Sequence, residues 1–216
     1  MATERGGRRA SFSILWMLIT EVLVVAMLVP TPAILRSMDL ERSMAWSMLG
    51  RQSGTWLIET ADGLYKAHLI DSGVRQAVFD HVLPSEEERQ RSRGMQKLGQ
   101  GWWFPFLEQR LTASFLVIRQ LFFRAISSLI WVPFFVAIAI PACIDAMMMW
   151  RKRGYEWEYA SPMMHRWGVH TVRYIPLVLI LLLFAPIPLP PFVYPILAAI
   201  GALGIHLIGT HLPRMI

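Results

Sequence analysis

Charge is scarce in this 216-residue chain: 17% of the residues are charged and 55% are hydrophobic, with a mean hydropathy of +0.42. That balance excludes an ordinary soluble domain of this length and reads as a membrane protein. Cysteine is almost absent. Cys143 has no partner for an intramolecular disulfide and lies in an apolar run, so it reads as a small buried side chain and leaves the compartment open. The phosphate-loop pattern GxxxxGK[ST] is missing, as are HExxH, GxSxG and CxxC. Nothing therefore points to catalysis or to a cofactor, and an energy-coupling ATPase has to be another chain. His165 and His170, like His206 and His211, are five residues apart rather than the four that align two ligands on one helical face, which argues against a metal site.

What the chain has in abundance is long apolar runs. Spanning roughly 30 Å of hydrocarbon takes about 20 helical residues. Four segments qualify: Phe12 to Val29, Ala125 to Trp150, Tyr174 to Ala185 and Val193 to Leu212. The first follows Arg5, Arg8 and Arg9 but is too long for a signal peptide and lacks a small-residue cleavage site, so it reads as a retained anchor. Pro186, Pro188, Pro190 and Pro191 separate the last two and force a turn, making them a helical hairpin. The expected fold is an all-α integral membrane protein with about four transmembrane helices. Its divisions are a basic N-terminus (1–11), helix 1 (12–35), an outer helical domain (36–124), helix 2 (125–150), a basic inner loop (151–172), a hairpin (173–212) and a tail (213–216).

Charge distribution sets the expected orientation. With the N-terminus in the cytoplasm of a bacterial inner membrane, Arg5, Arg8, Arg9, Arg151, Lys152, Arg153, Arg166, Arg173 and Arg214 all fall inside, a positive-inside pattern, and the C-terminus is cytoplasmic too. The outer segment is nearly balanced, with twelve cations and ten anions. The net charge of +6 thus follows from topology, and direct nucleic-acid binding is not required to explain it.

Within the outer segment, Leu40, Met44, Met48 and Leu49 recur at helical spacing, and Gly50 and Gly54 flank a break. Leu64, Ala67, Leu69, Val74, Val78 and Val82 predict further short helices ended by Pro84, and Ser85 opens an acidic-then-basic solvated helix. Trp102, Trp103, Phe104 and Phe106 suit a membrane interface or a protein-binding patch. From Leu107 one long helix is expected to enter the membrane, with Arg110, Arg119 and Arg124 on or near its wet surface.

Three ionisable residues fall inside spans, where such groups are rare and face protein or water: Glu21, Asp145 and His206. At 1.5 Å per residue they lie roughly 18, 9 and 12 Å from the cytoplasmic ends of their spans, close enough in depth to meet. The structural reading is hydrogen bonding between helices; the functional one is a proton or ion path. Asp145 also has the inner cations as candidate partners, which would pin helix 2 to the basic loop. Small residues Ala198, Gly201, Ala202 and Gly204 give the last span a side that permits close helix contact.

The stretch "PACIDAMMMWRKRGYEWEYASPMMHRWGVHTVRYIPLVLILLLFAPIPLPP" carries Asp145, Arg151, Lys152, Arg153, Ser161, His165 and Arg166 in an order that resembles a family of membrane proteins from integrating conjugative elements. Ala146 stands where glycine is expected in many relatives. The resemblance implies a part in conjugative transfer beside a type IV secretion machinery and its coupling ATPase, and it supplies no catalytic residues. Tyr155, Trp157, Tyr159 and Trp167 then read as interface anchors beside those cations, or as headgroup aromatics. The expected partners are the bilayer, conjugation proteins including the ATPase, and a second copy of the chain. A transporter or channel subunit using Glu21, Asp145 and His206, and a recipient-side exclusion protein reading its target through the outer domain, are the alternatives.

Overall fold

The structure is a computed structural model describing residues 27–83, 103–156, 161–185 and 187–212, with side chains left aside at 154–156. Residues 12–26 of the expected helix 1, including Glu21, and the segment 84–102 lie outside the described residues, whereas residues 31–35 of that expected helix belong to one that runs on to Leu49, across the expected boundary at 35/36. Among the described residues seven α-helices follow in order: α1 (Thr31–Leu49), α2 (Arg51–Tyr65), α3 (Val74–Val82), α4 (Trp103–Ile130), α5 (Val132–Glu156), α6 (Pro162–Phe184) and α7 (Val193–Thr210), with a π-helical turn at Lys66–Ile70. No strand occurs among the described residues.

Local chemistry sets these boundaries. Pro30 precedes α1 and Pro32 sits in its first turn, where a missing N–H costs nothing. Gly50 takes φ 81° between α1 and α2, and Gly73 takes φ 74° before α3, left-handed angles that favour glycine. Gly54 is not at the break: it lies inside α2, where an added Cβ would meet the Trp46 side chain at 2.7 Å, so it serves close packing of α1 on α2. Pro133 lacks the N–H that would continue α4, and the helix breaks at Trp131, inside the apolar run read as one span.

The chain divides into two compact units. The first comprises residues up to Arg124 together with Phe184–Pro188. Its core joins α1 to α4 through Ile34, Met38, Ala113 and Val117. The buried face of α1 is Ile34, Ser37, Met38, Glu41 and Ala45, whereas Leu40 and Met48, whose spacing marked the helix, are exposed. The inward stripe was disguised because it carries a serine and a glutamate. Aromatic contacts extend this unit, with Phe79 stacked on Phe115 and the Arg75 guanidinium over both rings.

The second unit comprises Ala125–Leu183 and Leu189–Ile216, in which α7 packs along α5 and α6. Glycine makes these approaches possible. A Cβ on Gly168 would lie 2.8 Å from the Gly204 carbonyl, one on Gly204 3.0 Å from Val172, and one on Gly209 2.6 Å from the Ala146 Cβ. Ala146 is itself buried, so only a very small residue fits there.

Among the described residues three stretches are long and apolar enough to cross a membrane: Trp103–Arg153, Pro162–Phe184 and Val193–Thr210. Only 6%, 11% and 28% of their most apolar windows are buried within the protein, so most of that apolar surface faces outward, as it does towards lipid. The third expected span is longer than its Tyr174 to Ala185 run, because α6 begins at Pro162. Residues 151–156 and 162–172 are helical, so much of the basic inner segment is helix rather than loop.

Candidate functional site

Two clusters of polar side chains stand out, one in each unit. In the first, α1 contributes Glu41 and α4 contributes Arg124, side chains only 1% exposed each. Arg124 donates to the carboxylate from Nη2 at 2.5 Å and from Nε at 3.1 Å. Gln120 donates to both Ser37 Oγ and Glu41 Oε1 at 3.1 Å. The guanidinium also donates to the carbonyls of Ala185 and Ile187, each at 2.6 Å. This is a correction to the reading of Arg124 as a wet-surface residue. Its burial is tolerable because its charge is paired and its donors are directed at a carboxylate and two carbonyls.

One turn earlier on α4, Arg119 clamps Asp62 bidentately, Nε to Oδ1 at 2.8 Å and Nη2 to Oδ2 at 2.6 Å, and Arg42 reaches the same carboxylate at 3.0 Å. Burial alone would raise the Asp62 pKa, but the Arg119 hydrogen bonds and the charges of Arg42 and Arg119 prevail and hold it below the usual carboxylate value. Asp62 and Arg119 edge a cavity of about 580 Å³ with Phe115 and Leu116 in its wall. Neither ion pair was legible beforehand, since their members lie 57 and 83 residues apart.

In the second unit, Asp145 of α5 and His206 of α7 meet at 3.3 Å, Oδ2 to Nδ1. Their similar depth anticipated this pairing, while Glu21 lies outside the described residues. Asp145 therefore has the histidine as its partner rather than the inner cations. Its side chain stays 63% exposed against 30% for His206, so a carboxylate stands open on the surface of a candidate span.

The inner basic residues gather around the C-terminus of α7. Arg153 donates from Nη1 to the Thr210 carbonyl, and His165 Nδ1 lies 3.3 Å from the Ile208 carbonyl. Both groups approach carbonyls at the negative end of a helix dipole, where cations and donors are favourable. Ser161 opens α6: its carbonyl accepts from the His165 N–H at 3.2 Å, with Pro162 as the first helical residue. Arg151, Lys152, Arg166 and Trp167 are exposed. Tyr155 and Trp157 lie outside the described side chains. The order Arg153, Ser161, His165 is thus spatially coherent: one residue ends α5 against α7, one starts α6, and one ties α6 to α7.

Among the described residues no group of three side chains is placed to hold a metal ion. No curated protein and no solved structure matches the chain. A family model described as "IncC plasmid conjugative DNA transfer protein DtrJ-like" matches residues 32–211, from the first turn of α1 to the residue after α7. It thereby covers both polar clusters and supports the conjugative-transfer association expected from residues 141 to 191. The chain belongs to the DtrJ-like family of conjugative DNA transfer proteins.

Proposed function

We propose that this chain is a non-enzymatic scaffold in the inner membrane of a donor cell, where it holds a coupling ATPase to the conjugative transfer apparatus of an integrating conjugative element. The observation that carries this reading is the match to a conjugative DNA transfer family over both units of a chain with three stretches apolar enough to span a membrane. A protein of that family without a nucleotide-binding motif needs its driving force from another chain. The positive-inside rule puts Arg151, Lys152 and Arg166 in the cytoplasm, where such an ATPase works. Exposed Trp167, beside Arg166 at the start of α6, offers the aromatic and cationic side chains that dominate protein interfaces.

Photo-crosslinking from position 166 or 167 in mating-competent donor cells tests the docking. An adduct with the coupling ATPase supports it; transfer-proficient variants that crosslink to other transfer proteins and never to the ATPase overturn it.

One observation favours a second reading. The Asp145–His206 pair, open to its surroundings within candidate spans, has the chemistry of a proton relay. Proton flux into liposomes that disappears on Asp145→Asn supports a channel subunit, and flux equal to that of empty liposomes excludes it.

A further inference from the structure

Asp145 and His206 form a polar spot on an apolar surface of the second unit, the carboxylate 63% exposed and the imidazole 30%. Within two turns of them, Pro141 and Met148 on α5 and Ala199 and Leu203 on α7 are exposed as well. Both helices belong to stretches that qualify as membrane spans, so this side meets hydrocarbon or protein. Hydrocarbon offers a carboxylate no donor. Six residues separate Asp145 from Arg151, further than the short aspartate side chain reaches, so it cannot lift its charge to the inner surface. The site therefore calls for a polar partner.

The atoms that the pair leaves over identify that partner. A carboxylate only accepts, so the His206 ring faces Asp145 Oδ2 with Nδ1 as its donor. Oδ1 is left as an acceptor and, in a protonated imidazole, Nε2–H is left as a donor. A donor and an acceptor set side by side complement their own image across a two-fold axis. We propose that this face of α5 and α7 is a homodimer interface within the membrane, in which His206 of each copy donates from Nε2 to Oδ1 of Asp145 in the other. The resulting ring alternates carboxylate and imidazolium, so every charge has two opposite neighbours and none faces lipid. Met148 and Leu203 supply apolar contact around the ring, and the small Ala199 permits close approach. A different protein would have to bring the same donor and acceptor in the same order; a second copy carries them by construction. This inference rests on the reading of α5 and α7 as membrane spans and is independent of the proposed docking of an ATPase.

The experiment is cysteine crosslinking of the full chain in the membranes of cells that lack the other transfer genes, which separates it from the docking reading. Cys143 is the chain's single cysteine, so Cys143→Ser gives a cysteine-free background. With a short bismaleimide, Met148→Cys and Leu203→Cys should each yield a covalent dimer, whereas Leu181→Cys, exposed on α6, should not. Adding Asp145→Leu should abolish the dimer. Asp145→Asn should retain it with a neutral imidazole, because the carboxamide accepts from Nδ1–H and donates to Nε2 of the other copy. Circular dichroism of the purified variants verifies folding, and His206→Leu serves if Asp145→Leu is unfolded. Dimer from Leu181→Cys in equal yield overturns the inference, as does undiminished dimer in a folded Asp145→Leu protein. So does the absence of dimer from both Met148→Cys and Leu203→Cys, or an adduct within one chain between Met148→Cys and Glu21→Cys in its place, which would assign the site to residues 12–26.

Discussion

Arg124 on α4 and Glu41 on α1 form an ion pair sealed from solvent, and the same guanidinium holds the carbonyls of Ala185 and Ile187 in the turn that follows α6. One side chain therefore unites three stretches of the first unit that are distant in sequence. Removing either partner leaves a buried charge unpaired, which costs about 3–5 kcal/mol. Arg124→Leu and Glu41→Leu should each lower the thermal unfolding midpoint of the purified protein. The double variant should be less impaired than the sum of the two, because neither charge is then orphaned. Strict additivity in that double-mutant cycle would show that the pair is not coupled.

Asp62 predicts an acid sensitivity with a definite sign. Its folded pKa is depressed, so the clamp stabilises the fold fully above the ordinary carboxylate range, and that contribution is lost as pH falls through the depressed value. Wild-type stability, followed by fluorescence unfolding at successive pH values, should decline on acidification below that range. In Asp62→Asn this part of the decline should be absent, with stability at neutral pH already lower.

Close helix packing in the second unit gives a steric prediction. At Gly168 even a methyl group meets the Gly204 carbonyl and the Ile208 amide, so Gly168→Ala should destabilise by about 1–3 kcal/mol, typical of overpacking. Gly63, with open space around its missing Cβ, is the control: Gly63→Ala should leave the unfolding midpoint unchanged or raise it slightly.

For Asp145 and His206, the scaffold account predicts that hydrogen-bonding capacity matters and charge does not. Asp145→Asn retains a partner for His206 and should transfer DNA at close to the wild-type frequency, whereas Asp145→Leu should impair it. An Asp145→Asn variant as defective as the leucine variant would favour the proton-relay reading.

These predictions divide along a physical line in what the sequence made visible. Long apolar runs announce α5, α6 and α7 because hydrophobic length is a one-dimensional property, and the depths of Asp145 and His206 along their spans sufficed to suggest that they meet. Gly201 and Gly204 declared a close-packing side in the same way. The inward face of α1 was not legible, because Ser37 and Glu41 look like solvent-facing residues until Gln120 and Arg124 arrive from 79 to 83 positions away. The same holds for Asp62, whose partners lie 20 and 57 residues distant. The reach of Arg153 and His165 to the end of α7 likewise required three helices to converge, although their place in a basic segment had drawn attention to them.

The most direct measurement is mating frequency after clean deletion of the gene, made separately in donor and recipient cells with wild-type complementation. The account predicts a loss of transfer from deleted donors, restored by the wild-type gene, and no effect in recipients. Unchanged transfer from deleted donors, or increased transfer into deleted recipients, would contradict it.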